Sequence, residues 1–183
     1  MLSPRVVGPG LTDAYLLQQV ALLRPNGSVI VEEAPSSRSA MHDYLPIVDR
    51  DGFYTCASGG LGHGLPAAIG IALARPREKI IALLGDGSSM YAIQGLWTAA
   101  QLGLGVTFVI IKNRRYEALL EFGRYFGLQR TVGTSLPDID FRLLAEGQGV
   151  EAISVDRAEA LDDALRSAFA NLTGPTLVEV AVD

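Results

Sequence analysis

Two apolar runs, at 80–84 and 106–111, limit most strongly what this chain can fold into. Neither run shows the alternation of apolar and polar residues expected of a strand with one face in water, and both contain β-branched residues. Such runs are typical of strands that are buried on both faces, which occur in parallel sheets covered by helices on each side. The chain is therefore expected to be an α/β protein.

The remaining pattern extends this prediction along the chain. Helical periodicity and strand-like runs alternate, as they do in doubly wound folds. We predict a three-layer sandwich with a mostly parallel sheet of about six strands and helices on both faces. The predicted strands are 28–31, 53–56, 80–84, 106–111, 151–155 and 176–182, and the predicted helices are 12–23, 65–74, 89–102, 116–126, 141–146 and 158–171. Residues 32–39 and 127–138 are predicted to be loops.

Length and composition restrict the domain organisation and the class of partner. Residues 1–11 contain two prolines and two glycines and are predicted to be a linker or leading arm, and 12–183 one domain. The formal charge of −5 lacks the basic excess of a nucleic-acid-binding protein. No apolar stretch is long enough to span a membrane. Cys56 is the only cysteine, so no internal disulfide can form, and we expect a reducing, cytoplasmic setting.

An acidic residue and an amide follow the two apolar runs. Gly85-Asp86-Gly87 comes directly after the first run, and Asn113 follows the second. Both side chains offer the oxygen ligands that Mg²⁺ or Ca²⁺ takes, and the glycines would let a bulky anion approach the backbone. An Asp-Gly pair after a strand is often only a turn. Here Ser88 and Ser89 follow, and a helix start would attract an anion, which favours a metal that holds a diphosphate.

These residues resemble a known signature. Gly85-Asp86-Gly87, followed after twenty-five residues by Asn113, is similar to the thiamine-diphosphate motif of 2-oxo acid decarboxylases and acetolactate synthases. The resemblance covers nearly the whole domain and is greatest for enzymes of the benzoylformate decarboxylase type. Further segments that fit it are Ala57-Ser58-Gly59-Gly60-Leu61-Gly62, Leu65-Pro66-Ala67-Ala68-Ile69-Gly70, Leu96-Trp97-Thr98-Ala99-Ala100, and the ending Gly174-Pro175-Thr176-Leu177-Val178-Glu179-Val180.

The resemblance implies a role for several residues. Asp86, the side-chain oxygen of Asn113 and the backbone carbonyl of Arg115 would bind Mg²⁺ or Ca²⁺. Gly59 would face the aminopyrimidine, and Leu61 would be the apolar wedge that bends the cofactor. The diphosphate would lie against Ser36, Gly85, Gly87 and Ser88, with Tyr116 beside it, and Leu119 and Phe122 resemble positions that line the substrate pocket.

The chain departs from the signature beside the metal ligands. Lys112 stands where the family has the first asparagine of a pair, and Arg114 and Arg115 replace a commoner small pair such as Gly-Thr. Arg114 lacks the backbone freedom of glycine, which could lower metal affinity. Two arginines near a diphosphate could instead favour its binding, and the sequence does not choose between these effects.

The resemblance also implies that the site is incomplete. In the family, the glutamate that activates the cofactor belongs to a pyrimidine-binding domain, and nothing in this chain matches that domain. No catalytic residue is therefore expected here. We expect the diphosphate-binding half of a homodimeric or homotetrameric enzyme that decarboxylates a small 2-oxo acid, as a fragment or as one subunit of a split enzyme. The alternatives are an acetolactate synthase-like carboligase and a non-catalytic binding module.

Overall fold

A single six-stranded sheet forms the centre of the domain. The computed structural model describes residues 10–183, and the strand order is β2-β1-β3-β4-β6-β5 with every pairing parallel. The strands are β1 Val29–Glu33, β2 Phe53–Thr55, β3 Ile80–Gly85, β4 Val106–Lys112, β5 Glu151–Val155 and β6 Thr176–Ala181. The predicted α/β class and strand number are confirmed, and the two apolar runs are the central strands β3 and β4.

Helices cover both faces of this sheet. They are α1 Asp13–Leu23, α2 Arg38–Tyr44, α3 Gly64–Ala74, α4 Asp86–Ser89, α5 Gly95–Gln101, α6 Glu117–Tyr125, α7 Phe141–Glu146 and α8 Ala158–Ala170. One core lies between the sheet and helices α1, α2 and α8, and a second lies between the sheet and α3, α5 and α7. The side chains of β3 alternate between the two cores, with Ile81 in the first and Ile80 in the second, as expected of a strand buried on both faces.

The segment 32–39, predicted to be a polar loop, is mostly ordered into regular structure. Strand β1 continues through Glu32 and Glu33, which pair with Leu83 and Leu84 of β3. A 3-10 turn, Pro35–Ser37, and helix α2 follow. Both carboxylates are buried and accept backbone N–H groups, so polar side chains that looked solvent-facing belong to the interior.

The single helix predicted over 89–102 is wrong. Helix α4 begins earlier, at Asp86, and the chain turns at 90–94 before α5 begins at Gly95. Hydrogen bonds between residues three apart in the sequence mark the turn. Tyr91 N donates to Ser88 O (3.2 Å), and Gly95 N donates to Ala92 O (2.9 Å). A Cβ at Gly95 would lie 2.5 Å from Leu65 Cδ2, so this residue sets how closely α5 packs on α3.

The start of the domain also packs on its core. Leu11, which the sequence assigned to the leading arm, is buried, and its carbonyl accepts the Asp183 N–H (3.3 Å). Thr12 caps α1 by accepting the Tyr15 N–H (3.2 Å), as predicted. The rest of the predicted arm, 1–9, lies outside the described residues.

Lys79 is a buried cation at the amino end of β3. Its ammonium donates to the carbonyls of Ala168 (2.9 Å) and Asn171 (2.6 Å), at the end of α8. These bonds supply donors to carbonyls that have no partner within the helix. The positive charge of Lys79 also interacts favourably with the negative end of the helix dipole. Burial nevertheless lowers the pKa of Lys79 to about 8.

We therefore expect stability to rise with pH in this part of the titration range. Between about 8 and the ordinary value of 10.5 the unfolded chain binds the Lys79 proton and the folded chain releases it, so the free energy of unfolding increases with pH. After allowance for solvent screening the gain is about 1–2 kcal/mol. Urea unfolding of wild type and Lys79→Met between about pH 7.5 and 9.5 tests this. Parallel pH dependences in the two proteins would contradict it.

Candidate functional site

The connections after the first four strands converge on one cavity of about 460 Å³. It lies at the carboxyl ends of β1 and β3, where the strand order changes direction and where open α/β sheets bind ligands. Most of the residues singled out from the sequence line it together. They are Ser36, Gly59, Leu61, Gly85, Asp86, Gly87, Ser88, Arg115, Tyr116, Leu119 and Phe122.

Asp86 is the acidic residue of this cavity nearest the sheet. Its side chain is only 3% exposed, Oδ1 accepts the Gly87 N–H (2.7 Å), and Oδ2 accepts the Arg114 N–H (2.6 Å). Burial raises the pKa of the Asp86 carboxyl, while these backbone N–H groups and the charge of Lys112 offset part of the rise. Each carboxylate oxygen retains a lone pair, so the group can still bind a cation.

Residues 85–88 form the narrow, polar inner wall of the cavity, which we call its floor. A Cβ at Gly87 would lie 2.3 Å from Tyr116 Cε1, so only glycine allows the tyrosine ring to cover this peptide. The Ser88 hydroxyl lies within hydrogen-bond distance of the carbonyls of Glu33 (2.6 Å) and Gly85 (3.0 Å), which share its one proton. The hydroxyl therefore joins β1 to β3, and a bound anion at this residue would meet the backbone N–H.

Asn113 lies at the border of the site. It lines an adjoining cleft together with Arg114 and Arg115, and of these three only Arg115 also lines the cavity. Asn113 Oδ1 accepts the Arg115 N–H (3.1 Å). Two bonds to the loop after α6 hold this turn, from Leu136 N to Arg114 O (2.8 Å) and from Tyr116 N to Thr134 O (2.8 Å). The turn at 113–116 therefore has a fixed backbone next to Asp86.

Arg114 adopts a left-handed backbone conformation, with φ of 60°. The Arg114 N–H donates to Asp86 in this conformation, which glycine adopts more readily than arginine. A side chain here costs about 1 kcal/mol relative to glycine.

Arg114→Gly is accordingly expected to be more stable than Arg114→Ala by about 1 kcal/mol, because both variants remove the guanidinium and only glycine relieves the backbone. Urea unfolding of the pair measures the difference. At an ordinary helical or extended position alanine would be the more stable of the two, and that order would contradict the left-handed assignment.

The outer part of the cavity is apolar. Leu61, Tyr91, Leu119 and Phe122 line it, and Leu119 and Phe122 are 53% and 61% exposed. Glu117, at the start of α6, accepts hydrogen bonds from Arg115 and Arg124. The bond from Arg124 and the neighbouring Arg115 lower the pKa of Glu117, so its charge is neutralised by the two arginines.

Sequence reasoning missed two residues of this region. Tyr91 lines the cavity, but it lies in the turn that the sequence assigned to a helix. Glu33 does not line the cavity, and its carboxylate accepts the N–H groups of Gly62 and Gly64 in the loop that does. An acidic residue at the end of a strand otherwise buried on both faces is a signal that could have drawn attention to Glu33.

Residues 10–183 lack two kinds of feature. No group of three or more histidine, cysteine, aspartate or glutamate side chains is arranged to hold a metal ion. No helix in this range has the length and apolar character needed to cross a membrane. A metal beside Asp86 would thus also need amide or carbonyl oxygens as ligands.

Comparison with known proteins identifies the family. Residues 35–180 match the family model described as "Thiamine pyrophosphate enzyme, C-terminal TPP binding domain". The chain belongs to this family. Among curated proteins it is 39% identical over 173 residues to a benzoylformate decarboxylase of Pseudomonas aeruginosa, covering 94% of the chain and 33% of that protein. It is 28% identical over 178 residues to the acetolactate synthase isozyme 2 large subunit of Escherichia coli, covering 96% of the chain and 32% of that protein.

A solved structure agrees with these matches. The thiamine diphosphate-dependent 4-hydroxybenzoylformate decarboxylase of Rhodococcus jostii RHA1 superposes with a TM-score of 0.95 and 40% identity, over 100% of this chain and 35% of that one. The chain spans about a third of the length of the curated relatives it matches. The predicted family, a thiamine-diphosphate-binding domain related to benzoylformate decarboxylase and acetolactate synthase, is confirmed.

Proposed function

We propose that this domain binds the diphosphate end of thiamine diphosphate, with a divalent cation, in an enzyme that decarboxylates a 2-oxo acid. The observation that carries the proposal is the cavity at the β1/β3 switch point, which is lined by Asp86, Gly87, Ser88 and Leu61. Its inner part is polar and its outer part apolar, which suits a ligand with a charged tail and an aromatic body.

The residues present fit a magnesium-bound diphosphate. We propose that Asp86, Asn113 and the carbonyl of Arg115 bind the cation, since all three are oxygen donors on neighbouring turns. The Gly87 and Ser88 backbone, with Gly85 and Ser36 beside it, would hold the phosphate oxygens. The Tyr116 ring over Gly87 would keep water from one side of this contact.

The remainder of the cavity would orient the rest of the cofactor. We propose that Gly59 faces the aminopyrimidine and that Leu61 presses the molecule into a bent shape. When bound, thiamine diphosphate supplies the nucleophilic, electron-accepting centre for loss of CO₂ from a 2-oxo acid. This chain holds and orients the cofactor, and it contributes no catalytic acid or base in the proposal.

Leu119 and Phe122 favour an aromatic or bulky substrate. They stand at the apolar rim of the cavity and present large, exposed surfaces beside Tyr91. The relatives named as benzoylformate and 4-hydroxybenzoylformate decarboxylases support the same class of substrate. The proposed substrate is an aromatic 2-oxo acid.

A pyrimidine-binding domain, on the same or another chain, would complete the site. Helix α6 and the segment after it expose Phe122, Tyr125, Phe126, Leu128 and Val132, an apolar surface next to the cavity. Large exposed apolar surfaces are typical of interfaces. We propose that the whole enzyme is a cytoplasmic homodimer or homotetramer in which another domain covers this surface.

Calorimetric titration of the chain with thiamine diphosphate tests the proposal, with and without Mg²⁺. We expect weak, Mg²⁺-dependent binding by the chain alone and tighter binding after a pyrimidine-binding domain is joined to it, because half of the contacts are otherwise missing. The completed protein should release CO₂ from benzoylformate. Failure to bind thiamine diphosphate in both forms would overturn the cofactor assignment.

An acetolactate synthase-like carboligase is the second candidate, because the Escherichia coli relative carries that name. The two enzymes differ in product, since the carboligase joins two 2-oxo acids with loss of one CO₂. Formation of acetolactate from pyruvate by the completed protein, without CO₂ release from benzoylformate, would favour the carboligase. A non-catalytic module would bind neither cofactor nor substrate in these assays.

A further inference from the structure

We propose that Glu33 is a positioning residue that holds the loop at 59–64, and thereby Gly59 and Leu61, against the cofactor cavity. The inference rests on the proposed function, because it assigns Glu33 to the aromatic end of the same ligand. Glu33 ends β1 and its side chain is 3% exposed, so its carboxylate lies inside the domain and not in solvent.

The Glu33 carboxylate is bound by the loop itself. One oxygen accepts the Gly62 N–H and the other accepts the Gly64 N–H, on either side of His63 and directly after Leu61. Within the described residues no lysine, arginine or histidine forms an ion pair with Glu33. The two loop N–H groups are therefore its side-chain partners, and the loop position depends on them.

Glycines at both contacts make this approach possible. A Cβ at Gly64 would lie 2.7 Å from Glu33 Cβ and 2.8 Å from Leu84 Cδ2. Gly62 has φ of 94°, and a Cβ there would lie 2.9 Å from Tyr91 Cβ. Side chains at either position would push the loop away from the carboxylate, so the glycines and Glu33 form one unit.

The same residue also connects to the diphosphate end, but through its backbone. The Glu33 carbonyl accepts the Ser88 hydroxyl (2.6 Å). Replacing the side chain leaves this carbonyl in place. Substitution of the Glu33 side chain should therefore disturb the loop that carries Leu61. It should leave the floor at Asp86 and Ser88 unchanged.

Glu32 provides a matched control on the preceding position of β1. It is buried to a similar degree, at 1% exposed, and its carboxylate binds Arg38 (3.2 Å), the Thr55 hydroxyl (2.6 Å) and the Ala34 N–H (2.7 Å). Its partners lie on the opposite face of the sheet from the 59–64 loop. Glu32→Gln removes a buried carboxylate without removing a bond to that loop.

The first measurement is amide hydrogen exchange in the chain without ligand. Gln offers one acceptor oxygen where Glu offers two, so Glu33→Gln leaves one loop N–H facing an amide group. We expect the Gly62 and Gly64 amides to exchange at least about tenfold faster in Glu33→Gln than in wild type. Glu32→Gln should leave them within about twofold of wild type. Equal exchange rates in Glu33→Gln and wild type would overturn the positioning role.

The second measurement compares two ligands by calorimetry. Inorganic diphosphate with Mg²⁺ probes the floor alone, whereas thiamine diphosphate with Mg²⁺ also reaches Leu61. Glu33→Gln should lower the affinity for thiamine diphosphate by about tenfold or more. It should change the affinity for inorganic diphosphate by less than about threefold. Equal weakening of both ligands, or of neither, would overturn the role of Glu33. Wild type that binds neither ligand, both alone and after a pyrimidine-binding domain is joined to it, would overturn the proposed function instead.

Glu33→Asp provides a second test if Glu33→Gln fails to fold. Aspartate keeps the carboxylate and is one methylene shorter, so it can reach one loop N–H and not both. We expect the same split between the two ligands, with a smaller loss for thiamine diphosphate. Affinity for thiamine diphosphate equal to wild type in a folded Glu33→Asp would contradict the need for both bonds.

Discussion

Asp86→Ala should abolish Mg²⁺-dependent binding of thiamine diphosphate, with a loss of at least about a hundredfold in affinity, or about 3 kcal/mol. Two acidic residues line the cavity, and Glu117 is paired with two arginines, which leaves the Asp86 carboxylate to bind a cation. The substitution also orphans the N–H groups of Gly87 and Arg114. Calorimetry with the cofactor and Mg²⁺ measures the loss.

Asp86→Asn separates the charge from the shape of this residue. It keeps an oxygen for one of the two N–H groups and removes the negative charge, so cation binding should fall nearly as far as in Asp86→Ala. Burial raises the pKa of Asp86, which means that its charge costs stability at neutral pH in the absence of a cation. We expect the unliganded Asp86→Asn protein to unfold close to the temperature of wild type, because removal of the buried charge favours folding while the new amide group leaves one N–H without an acceptor.

Asp156→Asn is the control for both variants. Asp156 also follows a parallel strand, β5, at the same edge of the sheet, but it is exposed and lines the adjoining cleft. Its substitution should leave the affinity for thiamine diphosphate within about twofold of wild type. Wild-type affinity in Asp86→Asn, or an equal loss in Asp156→Asn, would contradict the metal assignment.

The sequence predicted the centre of the fold well because burial on both faces leaves a clear pattern. The apolar runs at 80–84 and 106–111 became adjacent strands, which placed Asp86 and the 113–116 turn beside each other. The same argument places Gly87 and Ser88, which come just after β3, at this edge of the sheet. The rest of the cavity lining, including Gly59, Leu61 and Phe122, was predicted from the resemblance to the family and not from the burial pattern.

What the sequence could not predict depends on long-range partners of polar residues. Glu32 and Glu33 looked like loop residues, yet Arg38, Thr55 and the glycine loop satisfy them inside the domain. The break at 90–94 could not be read from apolar spacing. There, close packing of Gly95 on Leu65 and the short i to i+3 bonds decide the backbone.

Lys112 illustrates the same limit at the metal site. The sequence showed only that a lysine replaces an asparagine, and not what becomes of its charge. Its ammonium lies 3.0 Å from Glu179 Oε2, and both side chains are largely buried. Glu179 also accepts the Phe141 N–H (2.9 Å) and the Ser154 hydroxyl (2.8 Å), so one carboxylate joins β4, β5, β6 and the start of α7 next to Asn113.

Glu179→Leu should therefore destabilise the domain by about 3–5 kcal/mol, because it leaves the Lys112 ammonium and the Phe141 N–H without partners in a buried setting. Lys112→Met should cost less, since Glu179 keeps two of its hydrogen bonds. The double variant should be more stable than the sum of the single losses predicts, by about 2 kcal/mol, since no unpaired charge remains.

Urea unfolding of the four proteins measures this coupling directly. Strictly additive losses would show that the ion pair contributes nothing beyond its separate residues, and the charge of Lys112 would then have to be solvated by water. Coupling of the expected size would mean that the lysine beside Asn113 is held in an ion pair with Glu179, although its charge still acts on Asp86. The family's asparagine could then be replaced here without placing a free positive charge at the metal site.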